Sequence, residues 1–160
     1  MILSLGRCFA AAFMPPHPAD LINKYSIIAT VKVSAVTDIV SGSGFWHSQD
    51  TPVEVLLARL HPLKILKGRL SEMPIVIQTL GETVPLKLDR EYLIFLNQDE
   101  WRYIAKNVFP ITKDRVRWYN STSDVALGTA PTVDEIPLDH AVRQIESIVK
   151  KAEQDAATNP

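Results

Sequence analysis

Residues 53–66 read VEVLLARLHPLKIL, and the phase of their apolar side chains decides the fold. Leu56, Ala58 and Leu60 occupy even positions, whereas Leu63 and Ile65 occupy odd ones. The switch falls at His61-Pro62. A strand whose apolar face slips by one residue beside a proline has the signature of a β-bulge. Long bulged strands are how small sheets curve enough to close into barrels. Lys67-Gly68 then begins a turn, and Met73 to Leu80 supplies the next strand. The apolar residues of this hairpin are assigned to the core. Gly68 is assigned a backbone conformation that other residues resist.

Working outward, Tyr25 to Val40 alternates with period two. Ile27, Ala29, Val31, Val33 and Ala35 face one way, and Ser26, Ile28, Thr30, Lys32 and Ser34 the other. Before it, the Pro-rich stretch from Pro15 leads into a short helical turn with Leu21 and Ile22 as its apolar residues. Ser41 to Pro52 is a loop by composition, and Gly81 to Arg90 a connector. Glu91 to Lys106 reads as a second hairpin around a polar turn, Asn97 to Glu100. Within it Tyr92 to Leu96 is apolar at every position, as expected of a strand buried on both faces. Val108 to Ile111 and Arg115 to Tyr119 form a further short strand pair around Thr112-Lys113-Asp114.

Residues 120–137 are rich in Ser, Thr, Asp and Pro and are assigned to a loop. From 138 to 154 the spacing predicts an amphipathic helix. Leu138, Ala141, Val142, Ile145, Ile148, Val149 and Ala152 fall on one stripe. Pro137 suits its first turn, Glu146 and Lys150 an i,i+4 pair, and the last six residues a frayed end. The fold class is therefore mainly β: a small closed antiparallel OB-like barrel of five or more strands over residues 15–119, with the C-terminal helix packed on it.

Bulk composition narrows the function. With 17 basic and 18 acidic residues, the chain lacks the basic excess that general phosphate-backbone binding needs. A single cysteine, Cys8, excludes an intramolecular disulfide and a Cys-rich zinc site. No apolar run reaches the ~18 residues of a membrane-spanning helix. The first 14 residues, MILSLGRCFAAAFM, are apolar and end near a small-residue cluster. Three readings of them stand: a degenerate or truncated export segment, a frayed terminus, or an element docked on the body.

Four stretches carry a resemblance. PPHPADLINKYSIIATVKV (15–33), LKILKG (63–68), PIVIQTLG (74–81) and REYLIFLN (90–97), taken together, resemble bacterial proteins of the tissue-inhibitor-of-metalloproteinase-like (netrin-like) group. The similarity covers Pro15 to Trp118. It implies an OB-fold barrel and an extracytoplasmic location, periplasmic or secreted; a cytoplasmic chain is the alternative. In the inhibitors, an N-terminal cysteine locked by disulfides chelates the protease zinc. Here Cys8 follows Arg7 and has no partner cysteine. The resemblance therefore carries the fold and not the inhibitory chemistry.

No catalytic signature is present. The four histidines, His17, His47, His61 and His140, have no metal-ligand spacing, so no metal, cofactor or catalytic residue is assigned. Two groups are candidate binding residues. Phe45, Trp46 and His47 sit in the long loop as an anchor for a protein or envelope partner. Trp101, Arg102, Tyr103, Arg115, Arg117 and Trp118 belong to a stretch with five cations, one acid and interleaved aromatics. On an OB-type barrel, that mixture suits a single-stranded nucleic acid or a glycan, the alternative to a protein partner.

Overall fold

The computed structural model describes residues 17–42, 53–79, 84–99, 102–119 and 132–158. A short helix, α1 (Pro18–Lys24), precedes strands β1 (Ile27–Gly42), β2 (Val53–Lys67), β3 (Ile75–Thr79), β4 (Glu91–Asp99), β5 (Arg102–Thr112), β6 (Arg115–Tyr119) and β7 (Val133–Pro137); α2 (Leu138–Thr158) closes the chain. The sheet order is β3-β2-β1-β4-β5-β6-β7, and a further pairing of β3 with β5 closes the first five strands into a barrel. That closing pair is parallel, with Val76 beside Tyr103 and Gln78 beside Ala105, so the ring is antiparallel everywhere but at its seam.

Two cores result. Inside the ring lie Ile27, Ala29, Val31 and Val33 of β1, Leu56, Ala58 and Leu60 of β2, and Tyr92, Ile94 and Leu96 of β4. Outside it, Ile28, Leu93 and Phe95 pack under α1 and α2 against Trp118, Ala141 and Ile145. The all-apolar run Tyr92–Leu96 thus feeds both cores, and all five residues are buried. Ala35 lies past the barrel and is exposed.

The bulged strand is present, and its outcome differs from the expected one. Against β1, β2 slips once beside Leu63 and again beside Leu66. Leu66, the extra residue at the second slip, is buried in the outer core under the helices and not with Leu56, Ala58 and Leu60, while Leu63 and Ile65 are exposed, Leu63 to 49%. Gly68 behaves as assigned. Its φ is +74°, and a Cβ there would meet the Ser26 carbonyl oxygen at 2.3 Å.

Other boundaries also move. Asn97 to Asp99 belong to β4, and β5 is continuous where a break before Val108 was expected. β6 follows it through a two-residue turn at Lys113-Asp114, both with positive φ, the geometry that suits a right-handed hairpin twist. Val133–Pro137, assigned to a loop, pairs with β6 along its whole length. It takes Pro137 out of the helix's first turn and into the strand. Helix α2 runs on to Thr158, and Ala152 is exposed with the rest of its last turns. Glu146 pairs with Lys64 of β2 at 2.7 Å, in place of Lys150.

The two helices are tied to β2. Lys67 reaches the C-terminal end of α1 and donates to the carbonyls of Ile22 and Tyr25 at 2.8 and 2.7 Å. Burial lowers its pKa, and the two carbonyls supply the hydrogen bonds that a buried ammonium requires.

Candidate binding surface

Alternation along a strand sends successive side chains to opposite faces. On β3 the sequence IVIQT is apolar at both parities for its first three residues. The register with β2 sets Leu56 against Gln78 and Ala58 against Val76, all four facing the barrel interior and all buried. It sets Leu57 against Ile77 and Arg59 against Ile75 on the outside. The polarity of β3 is therefore inverted: Gln78 is 0% exposed and Ile75 is 53% exposed.

The buried carboxamide has a local reason. Gln78 Nε2 donates to the Val84 carbonyl at 2.7 Å, and its Oε1 accepts from the Leu86 N–H at 2.9 Å. Both bonds hold the start of the segment 84–90, whose Leu86 is buried in the barrel core. Tyr92 adds to the hold, its hydroxyl accepting from the Lys87 N–H at 3.0 Å. A slip of one residue would bury Ile75 and Ile77 and strand the carboxamide outside, away from these partners. The register thus follows the buried amide, which leaves Ile75 exposed and Ile77 half-buried on the outer face.

These isoleucines do not stand alone. Val55 and Leu57 share the outer face of β2, and Ile104 of β5 lies beside Ile77 across the parallel seam. Arg59 and His61 supply its basic groups, both exposed. α1 and α2 pack over β1, β4, β6, β7 and the Lys64–Lys67 end of β2, and no helix covers the aliphatic face formed by Val55–Arg59 of β2 with β3 among the described residues.

The residues singled out from the sequence scatter. Phe45, Trp46, His47 and Trp101 lie outside the described residues; by chain position the first three belong to the β1–β2 connection and Trp101 to the β4–β5 connection. In OB-folds these two connections flank the β2–β3 ligand face. Arg102 opens β5, and Tyr103 is half-buried against the inner core. Trp118 is a correction: it is 0% exposed, stacked on Phe95 with ring centroids 5.6 Å apart and edge-on to Phe109 at 5.4 Å. It fills the outer core and offers no face to a ligand. Arg115 donates from its guanidinium to the Glu135 carbonyl, and Arg117 is exposed on β6. Because β6 pairs with β5 only at Ile111 and Thr112, Tyr103 and Arg115 sit at opposite ends of β5, about 30 Å of extended chain apart. The basic-aromatic stretch is not one surface.

Sequence reasoning missed Leu57, Ile75, Ile77 and Ile104. The readable signal was the Ile-Val-Ile run ahead of Gln78, where either phase leaves apolar side chains outside.

A concavity of about 310 Å³ flanks α2 and is lined by His140, Arg143, Gln144, Ser147 and Ile148. Arg143 is held by Asp139 at 2.9 Å. Among the described residues no three His, Cys, Asp or Glu side chains converge as metal ligands would, and no helix is long and apolar enough to cross a membrane. His17 has a structural role, its Nδ1 accepting from the Ala19 N–H at the start of α1.

No protein-family model matches this chain, and no curated protein matches it.

Proposed function

We propose that the chain is a non-catalytic OB-like binding domain that recognises a protein or envelope component through the outer face of β2 and β3. The observation that carries this reading is the inverted polarity of β3, with Gln78 inside and Ile75 and Ile77 outside. Burial of Gln78 explains why this aliphatic face lies outside the ring, with Ile75 exposed and Leu57, Ile77 and Ile104 half-buried, and apolar surface that no helix covers marks protein interaction sites. The face has aliphatic side chains and two basic groups, Arg59 and His61, so it suits an apolar partner surface with an acidic rim. Among the described residues it has no aromatic platform, which is what stacking single-stranded bases or sugars require. An extracytoplasmic location goes with the proposal and is supported by the resemblance to the inhibitor-like group.

Site-specific photo-crosslinking in the native cells tests this reading. A crosslinker at position 75 is expected to capture a discrete partner that the same group at position 117 on β6 does not. Leu57→Asp should abolish the capture while leaving the thermal unfolding midpoint within a few degrees. Equal capture from both positions, or capture that survives Leu57→Asp, overturns it. Single-stranded oligonucleotides titrated at low salt should leave the protein unbound, since electrostatic affinity is greatest there.

A further inference from the structure

β1 is paired on both sides for only part of its length. β4 pairs with it from Ile27 to Lys32, and the ladder ends at Val33, which donates to the Arg90 carbonyl at 2.9 Å and accepts from the Asp89 N–H at 3.0 Å. There the chain is turned off the edge at Lys87–Arg90, with Asp89 at φ +59°. From Ser34 to Gly42, β1 keeps β2 on one side and has no strand on the other among the described residues.

The direction of the free groups follows from alternation. In the pair Val33–Leu60 both backbones point away from each other, Val33 toward Asp89 and Arg90, and Leu60 toward the Pro74 carbonyl at 3.0 Å. Ala35–Arg59 must then face inward, and in the next pair, Val36–Ala58, Val36 turns its N–H and C=O to the open side. Val36 is 36% exposed, and Leu88, one residue before Asp89, is 57% exposed.

The other sheet edge is guarded. β7 carries Asp134, Glu135 and Pro137 within five residues, the charges and proline that discourage strand addition. The nine residues of the β1 edge hold one ionisable group, Asp38, and no proline or lysine.

We propose that the open edge of β1 at Ser34–Gly42 binds an extended peptide segment of a partner by strand addition, in line with β4 and with an apolar side chain opposite Val36. The incoming strand takes the place along β1 that β4 vacates at Val33. Its backbone meets the free groups of Val36, and its end abuts Leu88. An edge nine residues long is a ribbon about 30 Å by 5 Å. That suits a peptide and falls well short of the ~800 Å² per partner of a stable dimer. The site is separate from the outer face of β2–β3, and its test does not involve that face.

The test is fluorescence anisotropy of the full chain with a labelled peptide, Thr-Val-Thr-Val-Thr-Val-Lys, and two N-methylated forms of it. One form is methylated on each alternate set of amides. Saturable binding is expected for the parent and for one methylated form, and loss for the other, because only one set of amides faces β1. Val36→Pro removes the free N–H at an edge position where proline is tolerated and should weaken binding at least about tenfold. Leu88→Ala should weaken it less. The methylated probes keep the answer independent of how the variant folds. No saturable binding up to about 1 mM, or equal binding of both methylated forms, overturns the proposal. So does a dimer in sedimentation equilibrium that Val36→Pro dissociates, since the edge would then hold a second copy of the chain.

Discussion

The two outer sides of the barrel receive similar side chains and meet opposite fates. On one, Ile28, Leu93 and Phe95 lie under α1 and α2 and are buried. On the other, Leu57, Ile75 and Ile77 face away from the ring with no helix over them. Hydrophobicity alone does not separate these sets. What separates them is whether the chain returns to cover the strand. α2 returns over β6 and β7 and reaches β2 through Lys64 and Glu146, and Lys67 pins α1 beside it. Among the described residues nothing comparable reaches the outer face of β3. Burial of an aliphatic side chain is thus a property of chain path, and the uncovered set is the one we propose for a partner.

The contrast can be broken or sharpened by substitution. The largest effect is expected for Phe95→Ala on the covered side. It removes a fully buried ring that touches Tyr25, Phe109 and Trp118, and should cost about 3–5 kcal/mol by denaturant unfolding. A loss under about 1 kcal/mol would mean that the helix-covered core is loosely packed and the contrast false. Next comes Gln78→Ala, which leaves the Val84 carbonyl and the Leu86 N–H without their partner and should cost about 2–4 kcal/mol. Amide exchange should show the loss first at Leu86, and protection unchanged there would refute the role given to the buried amide.

A smaller effect is expected from alkali. Burial raises the pKa of Tyr25 above its ordinary 10.0, against a hydrogen bond from Asn107 that lowers it, and burial also raises that of Tyr119. The unfolded phenols ionise first, so the unfolded chain binds fewer protons and stability falls as pH rises above 10.0. Lys67, with its lowered pKa, contributes the opposite slope below 10.5. Denaturation midpoints followed alongside phenolate absorbance should therefore drop as pH rises from 10.0 through the raised pKa values of Tyr25 and Tyr119. Phenols that all ionise together at the ordinary pH, with no drop, would show that Tyr25 and Tyr119 are not held under the helices. Smallest of all is Ile75→Lys on the uncovered side, expected within about 0.5 kcal/mol of the parent. A cost of 2 kcal/mol or more would mean that something in this chain covers the face after all.

Much of this was readable beforehand. The five barrel strands, the doubly buried Tyr92–Leu96, the glycine at 68 and the amphipathic start of α2 all follow from local chemistry, because period and turn geometry act over a few residues. β7 was not readable. Val133–Pro137 has only Val133 and Ile136 to show as apolar, and its strand state comes from pairing with β6. Leu63 and Ile65 were misplaced because a phase slip is visible in a sequence, whereas whether any element covers the shifted side chains is not. Trp118 was offered as a ligand platform because a Trp beside Arg117 looks the same in a sequence whether its ring is inside or out. Its stacking on Phe95 was decided by a contact between β6 and β4, two strands that are not neighbours in the sheet.

By itself, the sequence determined that this chain forms a bulged, strand-rich barrel with an amphipathic helix after it, since alternation, turn residues and helical spacing are encoded within ten or so neighbours. Only the tertiary structure decided which apolar sides of that barrel are covered, where the second sheet edge lies open, and which aromatic rings reach the surface. Those outcomes depend on contacts between residues far apart in the chain, such as Gln78 with Leu86 or Lys67 with Tyr25, whose geometry exists only once the strands have closed.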